Sequence, residues 1–314
     1  MTDAWRAADR ALWVTRRAAR FGPGRIEPLT KTVVALAWLV HRWALSRSRP
    51  RPGLGFLATR FFAKGAKTEM KKQLLIGCAA AVVTVSSASA MAAEASANVA
   101  FTTDYRYRGV SQTDRDFAIQ GGFDYALDSG LYMGTWASNV DNFNPSPVTG
   151  DNGAQAEIDF YVGYGLALSE HWALDFNVLY YYYPGASTAG DNNEIDFWEY
   201  TPGIAYSDDN MSAAFSVSYS DDFYNESGDA FYYNASFEFP LEEWLTLGAH
   251  AGYQTVDDNE LYFEDYADWS ISLGTTQFGL DWSIAYVDTD LDDAACGGAN
   301  ICGATAVGTI SKSF

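Results

Sequence analysis

The fold is decided by the stretch QAEIDFYVGYGLAL, which occupies residues 155–168. Its even positions from Ile158 to Leu168 are apolar or aromatic, whereas Glu157 and Asp159 begin an odd set that ends in small residues. A period of two is typical of a β-strand, because successive side chains point to opposite faces of the sheet. One face suits lipid and the other suits a polar interior, so the stretch predicts a strand of a transmembrane barrel.

The same alternation recurs along the chain and predicts an all-β, antiparallel transmembrane barrel. Short connections such as 128–130 and 169–171 alternate with longer ones such as 141–154 and 289–303, as in outer-membrane barrels. A soluble β-sandwich also alternates, but it does not predict alternating loop lengths. We expect about twelve strands, near 97–108, 116–127, 131–140, 155–168, 172–183, 194–206, 211–221, 230–239, 244–255, 266–275, 278–288 and 304–314.

The printed chain closes on an alternating segment, GTISKSF, whose last residue is Phe314. A terminal aromatic residue after such a segment is typical of barrels of the bacterial outer membrane. We therefore expect this strand to close the barrel at the periplasmic side and to be the segment that the barrel-assembly machinery binds.

The N-terminal third predicts export. Met70-Lys71-Lys72 begins a positive region, an apolar run follows at 74–85, and the next residues are small and rich in alanine. This order predicts a secretory signal peptide at 70–92 and a mature barrel at 93–314. The run is shorter than the roughly 20 residues of a membrane-spanning helix. Residues 1–69 are a basic upstream extension that we expect to be absent from the mature protein, the alternative being a cytoplasmic leader.

The charge of the predicted barrel is strongly acidic. The whole chain carries a net charge of −20, and residues 94–314 hold 36 Asp and Glu against four Lys and Arg. Nucleic acids need cationic side chains for their phosphates, so this class of partner is excluded. Acidity of this kind can indicate disorder, but an aromatic content of 16% argues against it. An acidic channel would concentrate cations and repel anions.

Three ordered motifs carry a family resemblance. The chain reads DYRYRGVSQT at 104–113, YMGTWASNV at 132–140 and YYYYPG at 180–185. This set resembles the TorF family of porins, a family of unknown function, over essentially all of 93–314. The resemblance implies an outer-membrane barrel that acts as a porin, and it implies no catalytic residues.

In a barrel, the side chains that face the lumen decide selectivity. Alternation places one set of charged residues on this inner face and makes them the candidate channel-lining residues: Asp104, Arg106, Arg108, Glu157, Asp159, Asp175, Glu199, Asp268 and Asp281. Pore width would depend on large side chains that we expect to fold inward: Tyr161, Tyr181, Phe197 and Trp244.

The first three members of that set share one face of the first predicted strand. We hypothesise that Arg106 and Arg108 pair with acidic groups across a narrow lumen, with Glu157, Asp159 or Glu199 as partners, and so form a charged constriction. The alternative is a structural network of salt bridges that fills the barrel, because twelve strands lie between filled 8-strand barrels and open 16-strand porins.

The mature region holds two cysteines, Cys296 and Cys302, in one long loop. In an oxidising compartment they predict a local disulfide, and a metal pair is disfavoured because no histidine lies nearby. The acidic loop clusters lack the spacing of an EF-hand and are expected to be solvated. We expect no metal and no cofactor.

Enzymatic barrels need a nucleophile or an activated water with a base, usually histidine. The candidates are His171, in a predicted periplasmic turn, and His250, inside the ninth predicted strand with no recognisable serine motif. We therefore expect no catalysis. The prediction is a porin-like channel of the bacterial outer membrane, for cations or for neutral and zwitterionic solutes, in contact with lipid and lipopolysaccharide. The alternatives are a structural or adhesive barrel that does not conduct and, third, an outer-membrane hydrolase.

Overall fold

The computed structural model describes residues 94–141, 154–186, 195–258, 264–296 and 298–314. The predicted extension at 1–69 and signal peptide at 70–92 lie outside these residues. Within them the chain is almost entirely β-structure, with one short 3₁₀ turn at Tyr224–Glu226. No helix in the described ranges is both long and apolar enough to cross a membrane.

Twelve strands form one closed antiparallel barrel, which confirms the predicted fold. Each strand pairs with its neighbour in sequence, and two further short strands, β2 (Arg106–Tyr107) and β3 (Val110–Ser111), form a separate hairpin. The barrel strands are β1 (Glu94–Thr102), β4 (Ala118–Ala126), β5 (Leu131–Asn139), β6 (Ala156–Ala167), β7 (Trp172–Tyr182), β8 (Phe197–Ser207), β9 (Ser212–Ser220), β10 (Ala230–Glu242), β11 (Leu245–Val256), β12 (Tyr266–Gln277), β13 (Leu280–Thr289) and β14 (Thr305–Ser313).

The barrel closes where the two ends of the described chain meet. β1 pairs with β14, with Asn98 opposite Ser313 and Thr102 opposite Thr309. Ala97 and Phe314 also exchange backbone hydrogen bonds just beyond the ladder, at 2.9 and 3.3 Å. Closure leaves no open sheet edge, which a bilayer requires because unpaired backbone groups are costly in hydrocarbon.

The two faces of the wall have opposite chemistry. On β6, Phe160 is 50% exposed on the outer face, whereas its neighbour Asp159 is 5% exposed on the inner face. The other strands repeat this contrast, with Phe123, Phe176 and Ile284 among the exposed outer residues. An apolar, aromatic outer band around a polar interior is the pattern that lipid selects. The protein is therefore an outer-membrane β-barrel whose outer face contacts lipid.

The two ends of the barrel differ in their connections. Short turns such as 127–130 and 278–279 join strands at one end, here called the turn end. Longer segments such as 103–117 and 290–304 join them at the other, here called the loop end. In barrels of this type, short turns face the periplasm and longer loops face outward.

The first predicted strand is too long. The prediction placed it at 97–108, but β1 ends at Thr102 and residues 103–117 turn into the lumen, where β2 and β3 form a hairpin. The Asp104 side chain stabilises this departure, because it accepts hydrogen bonds from Ser111 Oγ and Arg106 Nε, both at 2.6 Å. We call residues 103–117 the lumen hairpin.

The lumen hairpin shares a hydrophobic core with the barrel wall. Tyr105 and Val110, both almost fully buried, belong to one cluster with Phe197, Phe223 and Tyr266. The wall members of this cluster lie at or beside the strand ends that face the loop end. The hairpin is therefore a packed element of the barrel mouth and not a solvated loop.

Candidate functional site

The tip of the lumen hairpin touches the opposite wall. Arg108 and Gly109 both have positive φ angles, of 48° and 83°, as the two central residues of a type I′ hairpin turn require. A Cβ atom at Gly109 would lie 2.9 Å from Asp268 Cβ and would also overlap the methyl group of Thr289. Glycine at this position therefore allows the hairpin to span the lumen and abut β12 and β13.

Arg106 is bound within the loop end and not across the lumen, so this part of the constriction hypothesis is wrong. Its Nε pairs with Asp104 at 2.6 Å, and its Nη1 donates to the carbonyl oxygens of Ile301 at 2.7 Å and Gly109 at 2.9 Å. Both side chains of the pair are almost fully buried. Arg106 joins the hairpin to the last long loop, and a role in lining the channel stays a prediction.

Arg108 does reach across the lumen. Its guanidinium forms an ion pair with Glu199 on β8, one of the three predicted partners, and donates to Gln254 on β11. It also lies over the aromatic rings of Tyr232 and Tyr107, at 4.1 and 4.6 Å from their centroids. Arg108 thus connects the hairpin to three separate strands of the wall.

A second hydrogen bond joins the hairpin to β6. Tyr105 Oη donates to Glu157 Oε1 at 2.8 Å, and the Tyr105 ring packs edge-on against Trp136 at 5.4 Å. Burial, followed by the negative charges of Glu157 and Asp159, raises the pKa of Tyr105. The phenol therefore keeps its proton and remains a donor to the carboxylate.

The remaining predicted lining residues lie on the barrel wall, where their side chains face inward as alternation requires. Five are buried and the sixth, Asp175, is half-buried. Their strands are β6 for Glu157 and Asp159, β7 for Asp175, β8 for Glu199, β12 for Asp268 and β13 for Asp281. Whether they set selectivity stays a prediction.

Between the hairpin and the turn end, tyrosine rings lie along the wall over glycines of the adjacent strand. Tyr161 covers Gly134, where a Cβ would be 2.5 Å from the ring, and its hydroxyl donates to Asp124. Tyr132 covers Gly163 in the same way. Because glycine has no side chain, each ring lies along the wall and does not project across the lumen. No sequence period signals these pairs, which depend on register between strands.

The hydroxyl groups of these rings hold inward carboxylates in place. Tyr132 Oη donates to Asp175 at 3.1 Å and accepts from Asn177 Nδ2, also at 3.1 Å. Each tyrosine of this kind orients a carboxylate on the inner wall without neutralising its charge. The part of the lumen between the hairpin and the turn end, here called the lower lumen, is thus lined by oriented anionic groups.

His250 belongs to a similar cluster. Its Nε2 lies 2.8 Å from Asp268 Oδ1 and 3.1 Å from Tyr232 Oη, and Tyr232 donates to Asp268 at 3.0 Å. Within the described residues, no hydrogen bond joins His250 to a serine hydroxyl. The geometry is that of a histidine held in place by a tyrosine hydroxyl and a carboxylate.

A disulfide joins Cys296 to Cys302 in the last long loop, with Cα atoms 6.4 Å apart. The residues on either side of Cys302 bind the lumen hairpin. The Ile301 carbonyl accepts from the Ser111 backbone at 2.9 Å, and the Gly303 carbonyl accepts from Arg115 at 3.0 Å. The bridged loop therefore forms part of the surface on which the hairpin rests.

In the described ranges, no group of three His, Cys, Asp or Glu side chains is placed to hold a metal ion. One of the acidic loop clusters, DDNE at 257–260, lies partly outside these ranges. Trp244 does not fold inward as expected, because it lies in the turn between β10 and β11 and is 59% exposed.

The model of one family, described as "Bacterial protein of unknown function (Gcw_chp)", matches residues 86–314. This description supplies neither a function nor the TorF name, which therefore remains a resemblance. No curated protein matches the chain by sequence.

Solved porin structures are similar to the chain in fold. The KdgM porin aligns over 70% of this chain and 99% of its own, with 7% identity and a TM-score of 0.46. The NanC porin aligns over 69% of this chain and 98% of its own, with 8% identity and a TM-score of 0.45. OprD of Pseudomonas aeruginosa aligns over 71% of this chain and 66% of its own, with 12% identity and a TM-score of 0.36.

Proposed function

We propose that this chain, which belongs to the Gcw_chp family of bacterial proteins of unknown function, is a porin-like channel. It allows small solutes to diffuse passively across the outer membrane, with a preference for cations or for neutral and zwitterionic molecules. The proposal is supported by a closed barrel whose inner face is polar and whose outer face suits lipid.

The observation that carries the proposal is the charge of the lumen wall. Asp124, Asp175 and Glu238 face the lower lumen and are only partly buried, so mobile ions can approach them. Two of the three arginines of the hairpin are paired with carboxylates, Arg106 with Asp104 and Arg108 with one on the wall, and Arg115 donates to backbone carbonyls of the last loop. The surplus is negative, and a negative lumen raises the local concentration of cations and repels anions.

The lumen hairpin would be the narrow part of the path. Its polar contacts run from the loop end to β6, β8 and β11, so a solute has to pass between the hairpin and the wall or displace the hairpin. Its aromatic and apolar contacts favour a second candidate, a barrel that does not conduct while the hairpin is packed. In both candidate functions, the lumen hairpin, residues 103–117, controls the passage of solutes.

We further propose that the outer face binds lipopolysaccharide as well as phospholipid. The outward aromatic residues suit the polar–apolar boundary of a membrane. The β14 strand and the terminal Phe314, which is 75% exposed, would be the segment that the barrel-assembly machinery binds. Replacing Phe314 with Ala should lower the amount of folded barrel in the outer membrane, and unchanged levels would contradict this role.

The deciding experiment is single-channel recording in a planar bilayer with a KCl gradient. The full chain would be expressed, and the folded barrel would be purified from outer membranes. Discrete current steps with a cation-favouring reversal potential are expected. An anion-favouring reversal potential would refute the preference for cations. Absence of current steps from a barrel shown to be folded would favour the non-conducting candidate.

A matched pair of variants separates the two candidates. Arg108→Ala removes the Arg108 hydrogen bonds to β8 and β11, whereas Arg115→Ala removes bonds to backbone carbonyls of the last loop. If the hairpin restricts passage, Arg108→Ala should raise conductance or open a silent barrel, and Arg115→Ala should not. Equal conductance in both variants and the parent would show that the hairpin does not restrict the passage of ions.

A further inference from the structure

Within the described part of the chain, one buried carboxylate of the lumen has an oxygen without a hydrogen-bond partner. Asp159, on the inner face of β6, is 5% exposed, and its Oδ1 has no hydrogen-bond partner among the described residues. The other buried carboxylates nearby are satisfied, since Glu157 accepts from Tyr105 and Glu199 accepts from Tyr181 and Arg108. A buried polar group without a partner is rare in folded proteins and therefore requires an explanation.

The surroundings of Asp159 are aromatic on both sides. Its direct cross-strand neighbours are Trp136 on β5 and Tyr181 on β7, so both inward side chains lie beside its carboxylate. The Tyr181 ring stacks on Phe197 at 4.3 Å, and the Trp136 ring lies 5.4 Å from Tyr105, so the carboxylate lies in an aromatic part of the lumen. A carboxylate among aromatic rings is the chemistry that proteins use for ammonium groups, because aromatic rings attract cations.

The charges around Asp159 do not balance. Glu157 and Glu199 also face this part of the lumen, and Arg108 is bound to Glu199. Arg106 is bound by Asp104 within the hairpin. Among the described residues, the remaining cations, Arg115 and Lys312, bind backbone carbonyls elsewhere. The nearby carboxylates therefore outnumber the nearby cationic side chains, and an added cation would reduce the excess negative charge.

We propose that Asp159, Trp136 and Tyr181 form a subsite for the ammonium group of a small organic cation at the inner face of the lumen hairpin. An ammonium donates hydrogen bonds to the free oxygen of Asp159 and places its charge against the two rings. A divalent metal is disfavoured, because no set of three ligating side chains is placed for one in the described ranges. The ammonium occupies the lumen directly below Tyr105, whose hydroxyl binds the adjacent Glu157.

This subsite deepens the proposed function and rests on it, because it names the class of solute that a cation-preferring lumen would recognise. Binding of an ammonium group at this subsite does not depend on whether the barrel conducts. Binding at Asp159 can be measured on the folded barrel in detergent, where no current flows. Failure of the subsite and failure of the channel are therefore separate results.

The test is isothermal titration of the purified barrel with methylammonium chloride in a KCl background of constant ionic strength. The parent barrel should bind methylammonium, and Asp159→Asn should weaken binding at least ten-fold. Asp128→Asn, in an exposed turn between β4 and β5, is the matched control and should bind like the parent.

Two results would overturn the subsite. Equal affinity of Asp159→Asn and the parent would show that Asp159 does not bind the ammonium. Absence of binding to the parent, together with an acid-dependent change in stability that Asp159→Asn abolishes, would assign the carboxyl a bound proton instead. If Asp159→Asn misfolds, Trp136→Leu provides the second test, because it leaves the carboxylate and removes one ring face. Parent-like affinity in Trp136→Leu would refute the aromatic part of the site.

Discussion

Replacing Arg108 with Ala is the sharpest test of how the lumen hairpin is held. The guanidinium is buried and paired with an equally buried Glu199, and it also donates to Gln254. Alanine removes the cation and leaves the Glu199 carboxylate with the Tyr181 hydroxyl as its remaining donor, at 3.1 Å. The substitution therefore leaves a charge in the protein interior without a counter-ion.

The magnitude follows from that uncompensated charge. Removing one partner of a buried ion pair costs about 3–5 kcal/mol. Both side chains are at most 6% exposed, so solvent does not weaken the interaction much. Arg108 also lies over two rings, and a desolvated cation–π contact contributes about 2 kcal/mol. We therefore expect the free energy of unfolding to fall by about 5 kcal/mol, the upper end of the ion-pair range.

The assay is urea unfolding of the barrel in lipid vesicles, followed by tryptophan fluorescence. Arg115→Ala is the control, since that side chain is partly exposed and binds only backbone carbonyls. The double variant Arg108→Ala/Glu199→Gln should recover about 2–3 kcal/mol, because it removes the charge that Arg108→Ala leaves unpaired. A single Arg108→Ala variant as stable as Arg115→Ala, or no recovery in the double variant, would refute the buried-pair explanation.

Three further predictions concern the hairpin and the wall. Gly109→Ala should lower the free energy of unfolding in urea by at least about 1–2 kcal/mol, because the position has positive φ and its Cβ would overlap the wall; unchanged stability would show that the tip has space. Replacing Cys296 and Cys302 together with Ser should cost about 2 kcal/mol in the same assay, the value for a short closed loop, and reduction of the parent should mimic it. Gly134→Ala should push the Tyr161 ring off the wall and lower single-channel conductance, and a conductance equal to that of the parent would place the ring outside the path.

Much of the wall could be predicted because lipid imposes a rule on every second residue. Strands such as β6 and β7 lie within two residues of their predicted bounds, since outward residues such as Phe160 and Phe176 must be apolar while inward neighbours need not be. Closure into a ring followed from the same requirement, because a bilayer does not tolerate an open sheet edge.

The lumen hairpin could not be predicted from alternation. Asp104, Arg106 and Arg108 continue the parity of β1, so they resemble a longer strand even though the chain has left the wall at Thr102. One local signal was available: Arg108-Gly109 between Tyr107 and Val110 is compatible with a two-residue turn. The rule that outward residues are apolar applies only to segments that contact lipid, and the hairpin does not contact lipid.

The partners inside the lumen depend on register, which a single sequence does not provide. The pairing of Arg108 with Glu199 was among the options that charge alone allowed. The unpaired Asp159 oxygen and the tyrosine–glycine pairs depend on which residues of adjacent strands lie side by side. Trp244 was misplaced for a simpler reason, because β10 extends to Glu242 and moves it into a turn.

The position of the lumen hairpin has a consequence for the order in which the barrel matures. The hairpin follows the first strand, but the carbonyl groups it binds, at Ile301 and Gly303, belong to the last loop. These contacts cannot form until the final strands have been added and the chain has formed a ring. We therefore expect the hairpin to gain its contacts with β5, β6 and β8 first and to be fixed against the last loop only as the final step of maturation.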